Sequence, residues 1–177
     1  MTHSFLIAGF GGQGVLFAGK FLVNKGMLEG KEVSWLPSYG PEMRGGTANC
    51  SVIVSDEPVG SPIVDHPDVL MVMNLPSLDK YENAVQPGGM IFVDSTLVER
   101  KVLRDDVKTF YVPATGIAAE SGLTTLANMI LTGKILKELG EFGDGVEAAL
   151  KKVVSVKHPE MYDVNLKALE LGRDYAE

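Results

Sequence analysis

The run Gly9-Phe10-Gly11-Gly12-Gln13-Gly14-Val15 restricts the fold more than any other stretch of this chain. It follows the apolar segment 4–10, SFLIAGF, and precedes 13–30, whose residues read as a helix ending near Gly30. A strand that turns through glycines straight into a helix is the opening unit of an α/β sheet. Gly9, Gly11 and Gly14 also carry the G-x-G-x-x-G spacing of dinucleotide-binding loops. In that setting the glycines let a diphosphate approach, and the helix N-terminus offers it unpaired N–H groups. Three readings follow: a nicotinamide dinucleotide site, another phosphate or anion site, or a bare turn.

A dinucleotide site also needs an acidic residue near the end of the second strand, to hold the ribose hydroxyls. Here that position carries Trp35, Leu36, Pro37 and Ser38, and Glu32 stands at the strand's beginning. Gly12 adds a fourth glycine and Gln13 a polar side chain. The balance favours an anion cradle.

Further β-rich runs at 32–37, 47–56, 68–74, 88–96 and 107–114 alternate with helical patterns at 75–85, 122–140, 144–154 and 158–177. The expected fold is therefore α/β and Rossmann-like: a mostly parallel open sheet flanked by helices, forming one domain over 1–177. The segment 47–56 alternates Val, Ile and Cys with polar residues, which marks one antiparallel strand. Asp144 is placed to cap the helix that follows it. The helices at 13–30 and 122–140 carry apolar residues on more than one face. Either a further layer of the same chain covers them or another subunit does.

The segment 37–52, PSYGPEMRGGTANCSV, opens at the carboxyl end of the second strand, the edge where open parallel sheets bind ligands. Its glycines and prolines fix its path, and it brings Tyr39, Glu42 and Arg44 toward the glycine loop. The Arg44 guanidinium suits phosphate or carboxylate. Asn74 ends the buried run 68–74 at the same edge, facing the same crevice.

Other chemistry finds little support. His3, His66 and His158 lack metal-ligand spacing, and no metal site is expected. No Ser or Cys sits in a nucleophile elbow, so no catalytic residue is assigned. The single cysteine, Cys50, leaves no internal disulfide and no cysteine-ligated iron–sulfur cluster, and fits a reducing, cytoplasmic setting. It reads as a small packing residue. A net charge of −7 without a basic run argues against nucleic acid. No apolar run approaches the roughly 20 residues of a membrane span, and the first residues leave no room for a signal peptide.

GFGGQGV, followed by SYGPEMRGGTANCSVIVSDEPVGSP and LANMILTGK, resembles the gamma subunit of 2-oxoacid:ferredoxin oxidoreductases. The resemblance runs from Phe5 to about Leu139 and lies closer to the 2-oxoglutarate and branched-chain types of this pyruvate/ketoisovalerate oxidoreductase family. It implies a non-autonomous subunit of a complex that converts a 2-oxoacid and coenzyme A to acyl-CoA and carbon dioxide, reducing ferredoxin. Thiamine diphosphate and magnesium are then expected between alpha and beta subunits, and iron–sulfur clusters in a ferredoxin-like delta subunit. The gamma chain would help to form the coenzyme A site. The resemblance places that site on Gly9, Gly11, Gly12, Gln13 and Gly14, and on Ser38, Tyr39, Gly40, Pro41, Glu42, Arg44, Gly45 and Gly46. It also implies that Asn128 is fixed by an interface or by the ligand. The alternatives are a free-standing NAD(P)-dependent oxidoreductase and a purely structural assembly subunit.

Overall fold

The computed structural model describes residues 1–39 and 47–177, with Tyr39 described by its backbone. The expected residues Gly40, Pro41, Glu42, Arg44, Gly45 and Gly46 lie outside the described residues.

The elements run β1 (Thr2–Phe10), α1 (Val15–Leu28), β2 (Glu32–Tyr39), β3 (Thr47–Ser55), β4 (Val69–Val72), α2 (Leu75–Tyr81), β5 (Met90–Asp94), β6 (Lys108–Val112), α3 (Ala114–Glu120), α4 (Ala127–Glu138), α5 (Gly145–Val153) and α6 (Glu160–Asp174). A single 3₁₀ turn at Glu82–Ala84 follows α2. The strands form one six-stranded sheet in the order β2-β3-β1-β4-β5-β6. β1 pairs in parallel with β4, β4 with β5, and β5 with β6. β3 runs against both of its neighbours, β1 and β2, and is the one reversed strand. The antiparallel strand expected over 47–56 is therefore β3, although its Ser51 and Ser55 are buried.

Hydrophobic cores form on both faces of the sheet. On one, Phe5, Ile7, Cys50, Val52, Met71 and Phe92 meet Phe21 and Leu22 of α1 and Met129 and Ile130 of α4. On the other, Leu6, Leu70, Val72, Ile91 and Val93 pack against Leu78 of α2. Continuous apolar composition in β4 follows, since all four of its residues are buried. α5 and α6 then cover the far sides of α1 and α4, contributing Val146, Leu150, Ala168 and Leu169 to the first core. This outer layer explains the apolar residues on several faces of α4, where even Lys134 is buried. α1 is less completely enclosed, and Met27 and Leu28 remain exposed at its end.

Four local expectations are corrected. Helix α3 was not foreseen, and the pattern at 122–140 becomes helical only at Ala127. The second strand continues through Pro37 to Tyr39, which puts Ser38 inside it. Asp144 occupies the N-cap of α5 but makes no side-chain cap bond. Its φ of −57° and ψ of −30° are already helical, whereas a capping side chain reaches back from an extended backbone.

Candidate functional site

The glycine turn follows from β1. The strand ends at Phe10, and the backbone reverses through Gly12 and Gly14, whose φ values are 92° and 77°. Both lie in the left-handed region, which side-chain-bearing residues seldom enter. Gly14 is the N-cap of α1 and supplies no side-chain cap, and no acidic residue stands in the helix's first turn. Among the described residues, no backbone carbonyl accepts from the amides of Val15, Leu16 or Phe17; the first helical bond is Ala18 N–H to Gly14 C=O at 3.1 Å. A row of free N–H groups at the positive end of a helix is an anion site in waiting.

Among the described residues three hollows meet the turn: the largest, about 350 Å³, runs from Gly14 and Phe17 past Asn128 to Asn165, and two smaller ones flank it. One of about 240 Å³ is lined by Phe10, Gly11, Gly12, Gly14, Val15, Leu16 and Ala48. The other, about 190 Å³, opens toward Met73, Leu97, Thr115 and Thr125. The second lies where the chain order of the sheet reverses, between β1 and β4, the usual ligand crevice of such sheets.

Gln13 is tied inward at both ends of its amide. Its Oε1 accepts from Phe10 N–H at 2.6 Å, and its Nε2 donates to Met73 C=O at 3.0 Å. Gly9 makes room for this, because a Cβ there would stand 2.6 Å from Gln13 Oε1. Asn74 is buried at the start of α2, where its Oδ1 accepts from Ser77 N–H at 2.8 Å. Its Nδ2 has no partner among the described residues. Asn128 is buried on α4 and donates from Nδ2 to Gly14 C=O at 2.9 Å, across 114 residues of sequence. A Cβ on Gly14 would overlap that same nitrogen.

The register brings the second stretch to the same edge. Ala48 pairs with Gly9 on one side and with Tyr39 on the other, and Ser38 pairs with Asn49. The end of β2 therefore stands level with the glycine turn, two strand spacings away, or roughly 10 Å. Asn49 Nδ2 donates to Tyr81 Oη at 3.2 Å. Cys50 is no part of the chemistry: burial pushes its thiol up to about 12, and its Sγ donates to Val15 C=O at 3.4 Å.

The same register argues against a nicotinamide site. In a dinucleotide fold the second strand lies beside the first and presents its terminal acid to the ribose. Here β3 separates the two, so Thr47 and Ala48 stand where that acid would be needed. Glu32 pairs with Ser55 at the far end of the sheet.

Fold and site together define an α/β chain with an anion-receptive glycine turn on a sheet interrupted by one reversed strand. The chain matches the family model described as pyruvate ferredoxin/flavodoxin oxidoreductase over residues 4–175 and belongs to that family. Ketoisovalerate oxidoreductase subunit VorA of Methanothermobacter marburgensis is 43% identical over 173 residues, which cover 96% of this chain and 36% of VorA. The chain thus spans about a third of that relative. 2-Oxoglutarate synthase subunit KorC of the same organism is 34% identical over 181 residues, covering 98% of this chain and 96% of KorC. Among solved structures, the gamma subunit of a keto/oxoacid ferredoxin oxidoreductase from Geobacter sulfurreducens superposes with a TM-score of 0.84 at 27% identity, covering 98% of this chain and 95% of that one. A 2-oxoglutarate:ferredoxin oxidoreductase from Magnetococcus marinus, with 2-oxoglutarate, coenzyme A and succinyl-CoA bound, shares the fold at a TM-score of 0.87 and 22% identity, covering 97% of this chain and 30% of that chain. Among the described residues, no helix is long and apolar enough to cross a membrane.

Proposed function

We propose that this chain is the gamma subunit of a 2-oxoacid:ferredoxin oxidoreductase and contributes to its coenzyme A site. It acts as one domain over 1–177, in a reducing cytoplasmic compartment. The observation that carries the reading is the uncapped N-terminus of α1 behind Gly12 and Gly14. Coenzyme A brings a diphosphate and a further phosphate, and those groups fit a row of free N–H donors with no carboxylate in the helix's first turn. The structural neighbour that holds coenzyme A supports the choice of ligand. Gly9, Gly11, Gly12, Gln13 and Gly14 form one half of the site. Ser38, Tyr39, Gly40, Pro41, Glu42, Arg44, Gly45 and Gly46 form the other, with Asn74 beyond β4 on the opposite side of the glycine turn. Arg44 neutralises phosphate, and Tyr39 positions the ligand.

The complete enzyme decarboxylates a 2-oxoacid, passes the acyl group to the coenzyme A thiol and sends the electrons to ferredoxin. Alpha and beta partners hold thiamine diphosphate and magnesium, and a ferredoxin-like delta partner holds the iron–sulfur clusters. Thiamine diphosphate supplies the carbanion chemistry when bound there. This chain's own part is to bind and orient coenzyme A. Affinity purification from native extract should recover the thiamine-binding and cluster-bearing partners. In the assembled complex, Arg44→Ala should raise the Michaelis constant for coenzyme A about tenfold, the loss of one charge-assisted contact. An unchanged constant would refute the ligand role of Arg44.

A further inference from the structure

We propose that Gln13 and Asn128 are positioning residues: two side-chain amides that set the glycine turn in its anion-binding shape before a ligand arrives. The proposal rests on the phosphate reading of that turn. It assigns to these residues work done through the backbone.

The two clamps grip opposite ends of the turn. Gln13 spans the point where the sheet order reverses, joining the Phe10 amide at the end of β1 to the Met73 carbonyl just beyond β4. Asn128 reaches from α4 and takes the Gly14 carbonyl. The consequence is electrostatic. A peptide carbonyl facing the cradle would repel an anion; that of Gly14 already points down α1 to Ala18 N–H, and Asn128 is its second donor, fixing it toward α4 as well. The amides of Val15, Leu16 and Phe17 are then left facing away from the helix body. Gly9 and Gly14 are the sites where a Cβ would strike the clamping atoms themselves. The glycine spacing serves the clamps as well as the ligand.

A second observation separates this from ordinary packing. Asn128 Oδ1 is buried without a hydrogen-bond partner among the described residues. An orphaned buried acceptor is a standing cost, and an apolar side chain of the same shape would remove it. Asn128 carries that oxygen because its Nδ2 holds the Gly14 carbonyl.

The test is Asn128→Leu in the chain together with whatever partners co-purify with it. Coenzyme A affinity, the thermal midpoint and backbone amide exchange over residues 10–18 are measured, with inorganic pyrophosphate as a second probe. The expected result is a thermal midpoint unchanged or raised, and a coenzyme A affinity about tenfold weaker, the usual worth of one hydrogen bond. Exchange at Ala18, whose N–H bonds the Gly14 carbonyl, should be faster in the free variant and return to the wild-type level once coenzyme A saturates the site. An affinity within about twofold of wild type overturns the proposal, as does a lowered midpoint with affinity intact. Weakened affinity with unchanged free-state exchange makes Asn128 a direct contact and also overturns it. Gln13→Met, with exchange read at Phe10, decides the matter if Asn128→Leu does not fold. If neither folds, both amides are supports of the fold and the proposal fails. Wild-type binding of pyrophosphate but not coenzyme A, lost equally in Asn128→Leu, upholds the clamps and sinks the coenzyme assignment. Wild type binding neither sinks both.

Discussion

His3 sits where charged side chains from separate elements meet, at the opposite end of β1 from the glycine turn. Its Nδ1 lies 3.2 Å from Asp68 Oδ2 and its Nε2 3.4 Å from Glu141 Oε1. Glu141 also faces the buried Lys25 at 3.7 Å, and Lys25 bonds Glu29 at 2.5 Å. The hydrogen bond to Asp68, then the nearby Glu141 carboxylate, raises the His3 pKa from 6.5 to about 9 against the opposing effect of burial. A folded-state value above the unfolded one stabilises the charged form. The contribution is complete below about pH 6.5 and disappears as the pH rises through about 9. Its size is on the order of 2–3 kcal/mol. Denaturant titrations of wild type and His3→Gln should therefore differ at pH 6 and converge at about pH 10. A gap that persisted at the alkaline end would assign the difference to packing. His3 in turn holds the Glu141 carboxyl below the ordinary range. That part of the network is lost on acidification.

At the scale of elements, α4 and α6 touch backbone to backbone. A Cβ on Gly133 would overlap the Leu169 carbonyl, and one on Gly172 would overlap that of Ile130. Gly133→Ala should cost about 3 kcal/mol or more, since neither backbone can yield without moving a whole helix. In a chain of this length that lowers the melting temperature by roughly 5–10 °C, to be read by calorimetry. A shift of less than about 2 °C would show that the crossing is looser. The same helices show what a sequence discloses. All six strands were legible because strands leave short apolar runs bounded by turn residues, and β3 because its Ala, Cys and Val alternate with polar residues, although Ser51 and Ser55 are buried too. Helix α3 was not. Its ATGIAAE carries Gly116, a poor helix former, and too few turns for a period to show. Ala114 and Ala118 are buried there by packing against α4. That is a tertiary cause with no local signature.

Across the whole molecule, the glycine loop was legible as a strand–turn–helix unit because its three parts are contiguous. Its support was not. The Asn128–Gly14 bond joins residues 114 apart, and no spacing rule announces it. The question of what covers the two apolar helices likewise needed the outer layer of α5 and α6 to answer it for α4. That layering gives a global probe. Cys50 is fully buried between β3 and α1, its Sγ 2.5 Å from where a Cβ on Gly19 would lie. Burial also holds the thiol protonated, near a pKa of about 12. A thiol reagent at pH 8 should react only through opening of the core. The labelling rate should rise with denaturant in step with global unfolding. Rapid labelling of the native chain would mean that α1 lifts from the sheet by itself.

The reversal of β3 has a further consequence, for assembly. Because β3 runs back along β2, the two form a hairpin, with Phe10 opposite Thr47 and Ala48 opposite both Gly9 and Tyr39. A parallel β3 would instead need a crossover returning to the other end of the sheet before pairing could begin. The strand pair that frames one side of the glycine turn can thus close over a short stretch of chain, at small entropic cost and early in folding. The clamp from α4 must wait for a contact spanning most of the sequence. The cradle is framed locally and locked at long range, so its final shape reports on completion of the fold.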